Sequence, residues 1–138
     1  MCSLHVRIFV VSLLAPLMTS ATFAGDLEFV GTTWQWRQTL LNENKVIAPS
    51  EPTQYTLTFG EDRTVTAQVD CNQMAGQFTR KGASIAIELT HGTRAMCPPD
   101  SLDIEFQREV AEARQMFIDA SGLHLDLAGH RGTMSFDP

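Results

Sequence analysis

Apolar residues recur at every second position in stretch after stretch of this chain, and that period belongs to half-buried β-strands. Trp34 and Trp36 share one face, with Thr33, Gln35 and Arg37 opposite. Tyr55, Leu57 and Phe59 alternate with Thr56 and Thr58, and Val65, Ala67 and Val69 alternate with Thr64, Thr66 and Gln68. Ile85, Ile87 and Leu89 follow the same rule, as do Leu123, Leu125 and Leu127, and Met134 and Phe136 close the series. Gln77-Phe78-Thr79 and Met116-Phe117-Ile118 are shorter candidates. Turn residues separate the runs: Gly60-Glu61-Asp62-Arg63, Arg80-Lys81-Gly82, Ala120-Ser121-Gly122 and the stretch from Ala128 to Gly132. Short turns between alternating runs make antiparallel hairpins. The polar stretch from Asn42 to Thr53, with Pro49 and Pro52, reads as a longer loop carrying a short strand at Val46-Ile47.

One segment has the helical period instead. Leu102, Phe106, Val110, Ala113 and Phe117 form a single apolar stripe at spacings of three and four. Pro98-Pro99 precede it, and Asp100 is the expected N-cap. Glu105, Arg108 and Glu112 fall where they pair along a solvated helix face, which is the ordinary role of such carboxylates. The expected fold is therefore α+β: a small, curved antiparallel sheet of about seven to eight strands with one packed helix.

Residues 1–24 differ from the rest. His5 and Arg7 lead into an apolar run from Ile8 to Met18, followed by small residues up to Ala24. That order is a secretory signal peptide, with cleavage expected after Ala24 and Ala21 as the fallback. The run is too short for a membrane span, which needs roughly 20 apolar residues. The expected mature protein is a single domain over residues 25–138, a monomer in the periplasm or secreted. Export leaves Cys71 and Cys97 as an even pair in an oxidising compartment, since Cys2 is lost with the leader. A disulfide is favoured over a thiol nucleophile or metal ligand, because no C-x-x-C or Cys/His spacing is present. It would stabilise the fold by roughly 3–4 kcal/mol.

The formal charge of −6 and a pI near 5.0 argue against nucleic acid. His91, His124 and His130 match no zinc signature, so no metal and no cofactor is expected. Neither G-x-S-x-G, a P-loop, G-x-G-x-x-G nor H-E-x-x-H occurs, and no catalytic residue is assigned.

Three motifs in order resemble the META domain family, which includes the HslJ-like heat-shock proteins. They are Gly31-Thr32-Thr33-Trp34-Gln35-Trp36, Asp70-Cys71-Asn72-Gln73-Met74-Ala75-Gly76-Gln77-Phe78, and Thr93-Arg94-Ala95-Met96-Cys97-Pro98-Pro99-Asp100. The resemblance spans almost the whole chain beyond the leader. It implies a small antiparallel β structure with one helix after the second cysteine motif, no established catalytic activity, and links to heat or envelope stress. The chain departs from the family pattern at Arg63, which stands where a turn glycine is usual, at Phe78, which stands for a common Tyr, and in lacking a lipid-modifiable Cys after the apolar run.

The motif residues Trp34, Trp36, Asp70, Asn72, Gly76, Thr93, Arg94 and Met96 are read as structural, with binding as the alternative role. Trp34 and Trp36 fill the core in preference to forming an aromatic platform. Arg94 is expected to pair with a buried Asp70; the alternative is an anion-binding Arg beside the helix N-terminus. The expected function is that of a non-enzymatic, stress-associated envelope protein that binds a protein or a small hydrophobic compound. The alternative is an inhibitor of a basic hydrolase such as lysozyme or a protease, steered by charge.

Overall fold

The structure, a computed structural model, describes residues 29–138. The expected leader, Cys2 and both cleavage positions lie outside the described residues. The strands are β1 (Thr33–Leu41), β2 (Val46–Ile47), β3 (Tyr55–Phe59), β4 (Thr64–Val69), β5 (Asn72–Lys81) and β6 (Ser84–Gly92). Helix α1 (Asp103–Glu112) comes next, then β7 (Ala113–Asp119), β8 (Gly122–Leu127) and β9 (Gly132–Asp137). The order is β2-β1-β3-β4-β5-β6-β7-β8-β9, all neighbours antiparallel.

The expected open, curved sheet is in fact closed. β1 also pairs with β9, from Gln35↔Asp137 to Leu41↔Gly132, so all strands but β2 form a barrel. Closure pairs β1 with β9 and leaves unpaired strand edges at β2 and where β6 and β7 part beyond Ser84↔Gln115. The protein is thus mostly β, with one helix and nine strands among the described residues. The seam is weakest between β6 and β7, joined by the single pair Ser84↔Gln115 and by the Met116 N–H bonded to the Ala83 carbonyl at 2.8 Å.

The interior is packed with side chains. At one end Phe29 meets Phe59 and Phe78 edge-on, at 5.3 and 5.9 Å between ring centres. At the other end Phe106 of α1 lies against Trp36, Tyr55 and Phe136, at 5.2, 5.7 and 6.3 Å. Both openings are stoppered, and the lumen is a core rather than a ligand cavity. A bulge in β1 between Trp36 and Gln38 shifts the inward positions, so that Thr39 turns into the core.

The helix is shorter than its apolar period suggests. It ends at Glu112, and Ala113 and Phe117 belong to β7. Ala113 is buried, whereas Phe117 lies on the outer face. Asp100 does not cap the helix. The Ser101 hydroxyl accepts the Asp103 N–H at 3.1 Å and the Tyr55 hydroxyl accepts the Leu102 N–H at 2.9 Å. The N-cap position is Leu102, which has no capping side chain; the local Ser101 takes the first helical N–H, and Tyr55 fixes the approach to it.

Glu109 is a carboxyl in the core, with no exposed surface. Thr39 donates to its Oε2 at 2.5 Å and itself accepts from the Trp36 indole at 3.1 Å. Oε1 has no hydrogen-bond partner among the described residues. Burial pushes the carboxyl above its ordinary range, and the Glu105 charge adds to this; the Thr39 hydrogen bond and the Arg131 charge pull the other way. A carboxyl with a raised folded value holds its proton more tightly when folded. Its contribution to stability is full below the ordinary Glu value and is lost as pH rises through the folded value. Glu109→Gln is therefore expected to exceed the parent by about 1–2 kcal/mol at neutral pH. The gain should close below about pH 4, as seen by urea unfolding at both pH values.

Candidate functional site

Both cysteine motifs meet at one end of the barrel wall. The β4–β5 hairpin turns through Asp70 and Cys71, with Asp70 in the left-handed region at φ 52°. Asp tolerates that conformation better than most residues, because its short side chain can bond locally. The backbone of Asp70 is anchored twice: its N–H bonds the Gln54 carbonyl at 2.7 Å, and the Gln68 amide bonds its carbonyl at 2.6 Å. Cys71 is joined to Cys97 in a disulfide, with Cα atoms 5.5 Å apart.

Asn72 ties the two motifs together. It is 4% exposed, and its carboxamide grips a loop from the opposite motif. Oδ1 accepts the Ala95 N–H at 2.7 Å and the Thr93 hydroxyl at 3.0 Å. Nδ2 donates to the Ala95 carbonyl at 3.0 Å and lies 3.4 Å from the Cys97 sulfur. An amide facing both the N–H and the C=O of one residue pairs with it as a strand neighbour would. Thr93 adds a second clasp: its N–H bonds the Gln73 carbonyl and its hydroxyl accepts the Gln73 N–H, both at 3.0 Å.

The loop 93–102 is therefore pinned at Thr93, Ala95 and Cys97, while Arg94 and Met96 face solvent. Met96 is 99% exposed and Arg94 is exposed too. The expected buried Arg94–Asp70 pair is not formed, and Arg94 makes no ion pair among the described residues. The neutral Asn72 satisfies the loop's backbone, so no buried charge is present for Arg94 to neutralise. Beside the loop, between the end of β6 and α1, lies an open polar groove of about 340 Å³ bordered by Leu89, Thr90, Arg94, Asp103 and Gln107.

The other motif residues lie elsewhere. Trp34 and Trp36 are buried, with the Trp34 indole donating to the Phe29 carbonyl at 3.0 Å. Gly76 pairs with Leu89 of β6, beside a bulge in which Thr90 of β6 is the extra residue.

A second polar cluster is not evident in the sequence. The β7–β8 hairpin brings together Asp119, Ser121 and His124, with Ser135 of β9 beside them. Ser121 donates from its N–H and its hydroxyl to Asp119, at 2.7 and 2.6 Å. These bonds, with that from His124, hold the Asp119 carboxyl down at about 2. Asp119 and the Ser121 hydroxyl both face Nε2 of His124, at 3.1 and 3.0 Å, while Nδ1 faces Ser135 at 3.1 Å. A nucleophile relay needs acid and hydroxyl on opposite ring nitrogens, with the hydroxyl open to substrate; Ser121 shares Nε2 with Asp119, and Ser135, on Nδ1, is buried. The cluster therefore clamps a hairpin, with Phe117 stacked on the His124 ring at 4.6 Å. Its only sequence signal is the spacing Asp-x-Ser-x-x-His across a turn. Among the described residues no three His, Cys, Asp or Glu side chains gather as metal ligands.

The META domain family matches residues 26–137, nearly the entire described chain. The chain belongs to the META domain family. An NMR structure of a protein from Burkholderia xenovorans shares the fold, with a TM-score of 0.65 at 19% identity over 80% of this chain and 83% of that one. A crystal structure of a DUF4847 family protein from Bacteroides vulgatus superposes with a TM-score of 0.57 at 18% identity, over 78% of this chain and 92% of the other. No curated protein sequence is significantly similar to this META domain. Among its described residues no helix is long and apolar enough to cross a membrane.

Proposed function

We propose that this META domain is an exported, non-enzymatic binding protein of the stressed cell envelope, and that it engages another protein through the loop 93–102. Export rests on the leader-like residues 1–24 and is supported by the Cys71–Cys97 bond, which persists in oxidising compartments. The observation that carries the reading is Met96, whose side chain is fully exposed on a backbone pinned on either side. A rigid loop presenting a large apolar side chain to water buries nothing in the fold and is suited to burying it in a partner. A small hydrophobic ligand is less well served, because the barrel interior is filled from Phe29 to Phe106.

Photo-cross-linking from position 96 in periplasmic fractions, with and without heat stress, tests the reading. We expect one dominant cross-linked protein, enriched after heat and lost when the cross-linker is moved to Gln77 on the outer face of β5. Equal labelling from both positions would remove the loop from consideration.

A further inference from the structure

Thr93 and Ala95 both turn their backbone groups toward β5, where they bond Gln73 and Asn72. In an extended chain the N–H and C=O groups of successive residues point to opposite sides. Those of Ala95 point inward to Asn72, at 2.7 and 3.0 Å, so those of Arg94 and Met96 point outward. Among the described residues the backbone groups of Arg94 and Met96 have no hydrogen-bond partner. Two alternate residues thus offer unpaired backbone groups on one side, the pattern that a cleft binding an extended peptide completes by strand addition. The side chain at the end of that pattern is Met96, unbranched and apolar, free to enter a pocket.

We propose that residues 93–98 are a substrate-mimicking loop that inhibits an extracytoplasmic serine endopeptidase whose specificity pocket takes large apolar side chains, with Met96 as the pocket residue. This rests on the loop being the working surface of the protein, and it names the class of partner. Arg94 and Met96 pair with the enzyme's substrate-binding strand, and the Met96 side chain fills the pocket that sets cleavage preference. The bond presented to the catalytic serine is Met96–Cys97. Its two sides are held to adjacent residues of one hairpin: Ala95 by Asn72, and Cys97 by Cys71. Hydrolysis would add one water across that bond, leaving a Met96 carboxylate and a Cys97 amine. Neither end could then diffuse away, so product release is slow and the bond can re-form. Preorganisation by the disulfide and Asn72 removes most of the ordering cost that a free peptide meets on binding. The net negative charge of the chain speeds encounter with a basic enzyme.

The test uses the purified full-length secreted protein, titrated against chymotrypsin, subtilisin and trypsin with chromogenic peptide substrates. Chymotrypsin or subtilisin should be inhibited at micromolar concentration or below, and trypsin should not. Met96→Asp should weaken inhibition by about 100-fold, the scale of a lost anchor residue. Met96→Lys should transfer inhibition to trypsin. Because Met96 touches nothing in the fold, both variants should melt with the parent, which keeps binding and folding effects apart. The proposal is overturned if none of the enzymes is inhibited, if Met96→Asp inhibits like the parent, or if Met96–Cys97 is cut as fast as a free peptide. Should inhibition fail while cross-linking from position 96 still captures one non-peptidase protein, the peptidase is wrong and the loop stands. If both fail, the loop is not a working surface.

Discussion

Gly76→Ala should destabilise the protein by about 3 kcal/mol or more, although it adds a single methyl group. A Cβ built at Gly76 lies 1.7 Å from the Glu88 carbonyl oxygen, 2.7 Å from its carbon and 2.9 Å from the Leu89 Cα. All three are backbone atoms of β6, so no side-chain rotation relieves the clash. The strands must part, and they do so beside the β6 bulge at Thr90, where the pairing shifts between Ala75 and Gly76. Partial opening there loosens the hairpin that carries Cys71 and Asn72 at its other end. Gly82→Ala is the control. Gly82 also has a constrained backbone, at φ +59°, but nothing lies within 4 Å of its added Cβ. It should cost only about 1 kcal/mol, from the left-handed conformation. Urea unfolding of the two variants settles the matter. Similar losses at both positions would mean that β5 and β6 are not in such close contact.

Bulges and inward polar residues decide which elements the sequence reveals. β3, β4 and β8 are short, regular and flanked by turn residues, so their period of two survives intact. The turn at Gly60–Arg63 is legible as well: Arg63 stands where a glycine is usual and adopts φ 65°. β5 is only partly legible because Asn72, Gly76 and Arg80 occupy inward positions where an apolar residue would mark the period, leaving Gln77-Phe78-Thr79 as the visible fragment of a strand from Asn72 to Lys81. The end of α1 is hidden for another reason. Ala113 and Phe117 continue the helical period by coincidence, while Met116, Ala113 and the outward Arg114 and Gln115 serve a bulged strand. Barrel closure is a long-range property: Trp36 pairs with Phe136, and no local pattern in either strand says so.

At the site, the residue types were legible and their partners were not. Asp70, Asn72, Thr93 and Arg94 do converge around the cysteines, apart from the outward turn of Arg94. Charge complementarity suggests an Arg94–Asp70 pair. The loop is instead held by the neutral Asn72, whose amide can donate and accept at once, and Asp70 contributes its backbone. Asp119 and His124 were invisible as a pair because their proximity exists only once β7 and β8 fold back through Ala120 and Ser121.

Replacing both Cys71 and Cys97 with Ser should cost roughly 2–5 kcal/mol, by releasing a cross-link between residues 26 apart. Part of that loss belongs to the unfolded chain, which gains freedom when the loop is no longer closed. The other part belongs to the folded state. Asn72 Nδ2 lies 3.4 Å from the Cys97 sulfur and shares its second contact with the Ala95 carbonyl. Without the bond, Cys97 is no longer held where Asn72 can keep Ala95 in line, so the two braces act as one unit. Combining the double Ser replacement with Asn72→Ala should therefore cost less than the sum of the separate losses, by about 0.5 kcal/mol or more. Urea unfolding supplies the energies, and amide exchange at Ala95 reports the loop directly. Additive losses would show that the disulfide and Asn72 act independently. Two titratable thiols in the natively purified protein would show that the cross-link does not form at all.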